Sequence, residues 1–214
     1  MSAAGPSQGA NGSLSEGRRA APRVLPSAAG PRPRRELLPL GGKARSAKGV
    51  HVNLERFLQE HGVAAARHEH PAVMTVEESD RLVPKLPGAK TKNLFLRDRK
   101  GLRHFLVTAR HNVPVDLDAL GAALGAGRLG FASSERLQKH LGLTPGAVSL
   151  LGLVNDAARA VEFVIDRSLW EADAVQAHPL VNTATMVVAH ADLERFLAAT
   201  GHAARVIDVP AAKR

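Results

Sequence analysis

Polar and apolar positions alternate most clearly over residues 92–97. There KNLFLR sets Lys92, Leu94 and Leu96 on one face of a predicted strand and Asn93, Phe95 and Arg97 on the other. A turn at 98–101 follows. Residues 103–109 return with Phe105 and Val107 on one face, which predicts an antiparallel hairpin. Helical spacing flanks this unit. Asn53 caps a short helix carrying Leu54, Phe57 and Leu58, and Gly62 ends it. Thr75 caps a second helix through Leu82, with Glu77 and Glu78 in its positively polarised first turn. Asp116 opens a helix through Ala123, and Ser133 or Ser134 caps one through His140. Asp192 begins one through Thr200 that turns Leu193, Phe196 and Leu197 inward. Short strands are expected at 64–69, 128–131, 161–166, 175–178, 183–189 and 206–209. Residues 142–146 read as a tight loop and 147–153 as a mostly apolar extended segment. Helices and strands intermingle, so the expectation is one α/β (α+β) domain over 49–214 with a mixed sheet.

Composition narrows this picture. Hydrophobic residues make up 44% of the 214, a globular share, but aromatics only 3%, with one Trp and no Tyr. The core must therefore be built from Leu, Val, Ala and Ile. The formal charge of +9 points to a polyanionic partner, nucleic acid first and an anionic membrane surface second. Most of that charge is local: the first 50 residues carry +7 and the remainder +2. Residues 1–48 are rich in Gly, Ala, Ser, Pro and Arg, with PRPRR at 31–35, and cannot bury enough surface to offset their chain entropy. They read as a disordered basic tail, with a nucleic-acid-binding arm as the functional alternative. The absence of cysteine excludes a disulfide scaffold, a cysteine nucleophile and a thiolate metal site. No apolar run approaches the roughly 20 residues of a membrane span, and the basic N-terminal stretch lacks a secretory apolar core. The expectation is a cytoplasmic protein with no membrane partner.

Standard catalytic signatures are missing: no phosphate-binding GK[ST] loop, GxGxxG, GxSxG or HExxH. His68 and His70 are spaced for a metal, but no acidic or third histidine partner stands nearby in sequence. A solvated strand edge accounts for them better, and no metal or cofactor is expected. Lys92 and Asn93 are the first candidates for chemistry. A lysine at a strand start is usually solvated, whereas the functional reading is a point charge that meets a phosphate or polarises an ester carbonyl. His178, in HPLVNTAT, can satisfy a buried backbone carbonyl, and Asn182, Thr183 and Thr185 can be turn and strand residues. Alternatively they share a site with Lys92. The Gly-rich loop 142–149 either ends a helix or lets a ligand approach the backbone closely.

Three stretches, KTKNLFLRDRKG at 90–101, FASSERLQKHLGLTPGAVSLLGLVND at 131–156 and HPLVNTAT at 178–185, together resemble the prolyl-tRNA editing-domain family. That family includes the YbaK proteins, the editing domain inserted into bacterial prolyl-tRNA synthetase, and the free-standing Ala-tRNA(Pro) deacylases. LPG followed by TKNLFL is most similar to the free-standing type, and the resemblance runs from about Asn53 to Asp208. It implies a curved mixed sheet flanked by helices, and hydrolysis of the ester joining a mischarged amino acid to the 3′ adenosine of tRNA. By resemblance, Lys92 is a key active-site residue with Asn93 beside it, and His178 lies near the aminoacyl-adenosine. The family's GxxxP loop, which shapes the amino-acid pocket, maps to Gly146, Ala147, Val148, Ser149 and Leu150, with Leu150 in place of the usual proline. Alanine is the implied amino acid, with Cys-tRNA(Pro) or Ser-tRNA as alternative substrates and an inactive tRNA-binding relative as the other class of reading. Mischarged tRNA and prolyl-tRNA synthetase are the implied partners. In such chemistry a ribose hydroxyl and bound water do the proton work, so the protein supplies orientation and charge.

Overall fold

The computed structural model describes residues 52–73 and 75–213; the expected tail at 1–48 lies outside the described residues. Fifteen elements follow in order. They are α1 (Leu54–Glu60), β1 (Ala65–Glu69), α2 (Val76–Leu82), β2 (Ala89–Asp98), β3 (His104–Arg110), α3 (Leu117–Leu124), β4 (Leu129–Phe131) and α4 (Ser134–Leu141). A 3-10 helix, Leu150–Asn155, leads to β5 (Val161–Asp166), α5 (Arg167–Trp170), β6 (Ala174–Ala177), β7 (Ala184–Ala189), α6 (His190–Thr200) and β8 (Ala204–Ile207). The helix starts are local chemistry. Asn53 Oδ1 accepts from the Arg56 amide at 2.9 Å, and Thr75 forms a capping box with Glu78. Asp116 accepts from Asp118 and Ala119, and Ser133, not Ser134, caps α4.

Eight strands form one curved mixed sheet in the order β1-β7-β6-β2-β3-β5-β8, with β4 also on β2. The expected β2–β3 hairpin is present, pairing Thr91 with Arg110 through Arg97 with His104. β6 joins β2 in parallel at Ala89 and Lys90 only, whereas β4 pairs with β2 at Leu96 to Asp98. Both lie along the edge of β2 opposite β3, and between them that edge is open. The central strands are buried on both faces. Phe95, Leu106, Phe163 and Ile165 pack with α1, α4 and α6, while Leu96, Phe105, Val107 and Val164 pack with Leu120 and Leu124 of α3. Burying Phe105 or Phe163 contributes about 2–3 kcal/mol each.

Four features differ from the sequence reading. β2 begins at Ala89, so Lys92 lies inside the strand and not at its start. Gly88 makes this possible: its φ is 85°, and a Cβ there would meet the Ala174 carbonyl oxygen at 2.9 Å. The segment 147–153 is not simply extended, because the chain coils into the 3-10 helix from Leu150. Every residue from Leu150 to Val154 is buried, so the apolar run carried no period to separate the two. The turn of helix α5 was not anticipated; Asp166 caps it through the Ser168 amide at 3.0 Å. Finally, His70 is not on a solvated edge: β1 is an edge strand, but His70 just beyond it is buried.

Candidate active site

A cavity of about 260 Å3 opens where β6 and β4 diverge from β2. Thr91, Lys92 and Asn93 form its floor, and His178, one residue past β6, forms one side. Gly146 and Val148, from the loop after α4, close another, and Val73, Thr75 and Ser79 add a wall at α2. The two stretches read as one site are therefore brought together, along with the glycine loop.

Each side chain is held by a definite partner. The Lys92 ammonium donates to the Val113 carbonyl, and burial pulls its pKa below the ordinary lysine range. Asn93 faces its β3 partner Thr108, whose hydroxyl donates to Asn93 Oδ1 at 2.7 Å. With Oδ1 taken, the amide NH2 is the end left for a ligand. His178 Nδ1 donates to the Ala184 carbonyl at 3.0 Å, which leaves Nε2 as an acceptor. Burial is the main cause that lowers its pKa, outweighing the Ala184 contact, so the ring is held neutral. The bland reading of His178, that it satisfies a backbone carbonyl, and its placement on the cavity both hold.

The other predicted residues divide. Gly146, at φ 88°, takes a left-handed turn that favours glycine and brings backbone to the cavity. Ala147, Ser149 and Leu150 are buried behind the loop and do not line the cavity. Ser149 accepts from the Leu151 amide at 3.2 Å, and Leu150 is the first residue of the 3-10 helix with its side chain in the core. Thr185 lines a small adjoining hollow, where its hydroxyl meets His70 Nε2 at 3.0 Å. The other His70 nitrogen donates to the Pro71 carbonyl at 2.8 Å, so neither is open to a metal. Asn182 donates to the Val73 carbonyl at 3.2 Å, and Thr183 is exposed, accepting through its carbonyl from the His70 amide. These two brace the turn against 70–73, a turn in which Leu180 adopts φ 65°.

Sequence reasoning missed Thr91, His111 and Gln176. Thr91 donates to the Gln176 carbonyl at 2.7 Å. The Gln176 amide donates to the carbonyls of Leu86, Pro87 and Gly88, fixing the start of β2. His111 follows β3 and lines the cavity. No local sequence signal marked His111. Among the described residues no group of three or more His, Cys, Asp or Glu could hold a metal ion, and no helix is long and apolar enough to cross a membrane.

A half-buried cation, an amide and a neutral imidazole around a small cavity suit an ester, because they supply charge and orientation without a protein nucleophile. Comparison with known proteins agrees. Residues 70–196 match the aminoacyl-tRNA editing domain. The chain is 42% identical over 66% of its length to the prolyl-tRNA editing protein ProX of Acetoanaerobium sticklandii, covering 86% of that protein. It is 41% identical to the prolyl-tRNA synthetase associated domain-containing protein 1 of Danio rerio, over 76% of this chain and 89% of the relative. A crystal structure assigned as a candidate trans-editing enzyme for prolyl-tRNA synthetase superposes with TM-score 0.55 at 22% identity, covering 75% of this chain and 99% of that one. The chain belongs to the aminoacyl-tRNA editing-domain family. By class it is an aminoacyl-tRNA deacylase, a hydrolase of the ester between amino acid and tRNA.

Proposed function

We propose that this protein is a trans-editing enzyme that removes alanine from mischarged tRNA(Pro). The observation that carries the reading is the meeting of Lys92, Asn93 and His178 with Gly146 and Val148 around one small cavity. The aminoacyl ester is already activated, so a positioned water can attack it. Lys92 and the Asn93 amide lie where they can stabilise charge developing on the ester oxygen, a contribution worth far more in a partly desolvated site than in water. His178 Nε2 accepts a hydrogen bond from the terminal adenosine or its aminoacyl group. Thr185, Asn182 and Thr183 act from behind, by holding His70 and the turn that carries His178. The relatives' names, prolyl-tRNA editing protein and prolyl-tRNA synthetase associated domain, support tRNA(Pro) as the carrier and the synthetase as a partner.

The amino acid follows from size. Val73 and Val148 are the apolar residues of the cavity wall. A small site selects mainly by excluding larger side chains, because an extra methylene is worth only about 1–3 kcal/mol of discrimination. On this reading alanine is accepted and cognate proline, with its ring, is excluded. Deacylation of Ala-tRNA(Pro) by the full chain, against Pro-tRNA(Pro), tests the proposal; loss of proline at the same rate as alanine would refute the selectivity. Release of cysteine or serine instead would keep the reaction and change the substrate.

A further inference from the structure

Lys92 is a point charge on a flexible four-carbon stem, so its use in the reaction depends on where its ammonium is held. Among the described residues no carboxylate pairs with it, and the partner of Nζ is the Val113 carbonyl. An ammonium has three donors, so one bond fixes the side chain and two donors stay open to the ester. The place of Nζ is therefore set by the loop that carries Val113. On one side this loop is tied to the hairpin, where the Val113 amide donates to the Arg110 carbonyl at 3.3 Å. On the other side it is held by the segment after β8. Val209 is buried there, and its amide donates to Asp166 Oδ2 at 3.1 Å. The chain then runs antiparallel to the loop. The Asp116 amide donates to the Pro210 carbonyl at 2.9 Å and the Ala212 amide to the Pro114 carbonyl at 3.0 Å, on either side of a bridge between Val115 and Ala211. The held carbonyl of Pro114 is the next one along from that of Val113. The peptide units are planar and proline fixes φ, so a single soft torsion, ψ of Pro114, separates the two. Clamping the Pro114 carbonyl thus aims the Val113 carbonyl.

We propose that the segment 209–212 is a positioning element of the active site, which places the Lys92 ammonium at the cavity through the Pro114 and Val113 carbonyls. None of its residues lines the cavity. The reaction that Lys92 serves rests on the proposed function; the geometry that the segment fixes does not. A displacement of about 1 Å in a group that meets the reacting atoms can cost about 10²-fold in rate, so one main-chain bond on the surface can govern the chemistry.

The test compares Ala212→Pro with Ala212→Ser in the full chain. Proline deletes the amide that holds Pro114, and serine keeps it. Ala212 is half-buried, and Ala211 before it is already in extended pairing, which a following proline favours. Thermal melts check that both variants fold. The first readout is single-turnover deacylation of Ala-tRNA(Pro). Ala212→Pro should lose about 10–100-fold in rate with tRNA affinity retained, and Ala212→Ser should match the wild type. In a Lys92→Ala background Ala212→Pro should cost almost nothing further, since both changes act through one ammonium. The second readout needs no activity: the rate at which an N-hydroxysuccinimide ester acylates Lys92, followed by mass spectrometry. It should rise severalfold in Ala212→Pro, where Nζ has lost its fixed acceptor, and stay at the wild-type value in Ala212→Ser. A full deacylation rate in Ala212→Pro, an equal loss with and without Lys92, or unchanged labelling of Lys92 would each overturn the proposal and leave the deacylase reading intact. A wild-type chain that releases no amino acid from any mischarged tRNA would overturn that reading instead, and the labelling would still decide whether the segment holds Lys92.

Discussion

Thr108 offers a way to disturb the site from inside the sheet. It is fully buried, and its hydroxyl donates to Asn93 Oδ1 at 2.7 Å across the β2–β3 register. Thr108→Val keeps the branched shape and deletes the donor, leaving the Asn93 carbonyl unpaired and the amide free to rotate. An unpaired buried acceptor costs about 1–3 kcal/mol. For a domain of this size each kcal/mol moves the melting temperature by about 2–4 °C, so a fall of roughly 2–12 °C is expected. If the fixed amide is worth one neutral hydrogen bond to the substrate, about 1.4 kcal/mol, kcat/KM should drop about tenfold well below the melting temperature. Thr108→Ser should restore most of the rate. In an Asn93→Ala background Thr108→Val should cost little further activity, because both changes act on the same group. Deacylation assays with thermal melts read both effects. Undiminished kcat/KM in Thr108→Val, with only the melting temperature lowered, would refute the claim that this pair orients Asn93 for chemistry.

Lys92→Ala should lower kcat/KM by about 10²–10³-fold with tRNA affinity largely kept, as measured by deacylation and filter binding; an unchanged rate would remove Lys92 from the mechanism. Stability should fall in acid. Burial is the main cause lowering the pKa values of His104 and His140, whose rings lie 4.2 Å apart; His140, Arg136 and Lys139 add to it at His104, and Lys139 and Arg136 at His140. The unfolded chain therefore takes up protons first as pH drops below about 6.5, and stability contributed above that pH is lost down to the folded values. Urea melts on either side of neutrality should show this, and His140→Gln should flatten the slope. Leu150→Pro places proline at the first turn of a 3-10 helix, where its φ is tolerated, but removes a buried side chain. It should lose about 2 kcal/mol in a denaturant melt yet keep alanine selectivity, because Leu150 does not line the cavity.

What could be read from the sequence was local. Asn53, Thr75, Asp116 and Ser133 cap helices through amides two or three residues away, and the alternation of 92–97 placed Lys92 and Asn93 on opposite faces. The resemblance of separate motifs brought Lys92, His178 and the glycine loop into one site without any derivation of how they meet. What escaped was set by distant partners. β2 extends back to Ala89 because β6, far along the chain, pairs there. Thr185 turns toward His70 across a separation of 115 residues, and Asn182 toward Val73 across 109. His111 gains its setting from Asp80 on one helix and Lys90 on one strand. No short pattern records such meetings.

The central claim is that this cavity clears alanine from tRNA(Pro). Its most direct test is the rate of amino-acid release from Ala-tRNA(Pro), with Pro-tRNA(Pro) and Cys-tRNA(Pro) measured in parallel on the full chain. Rapid loss of alanine with proline retained is the predicted result. An alanyl ester as long-lived with the enzyme as without it would contradict the account.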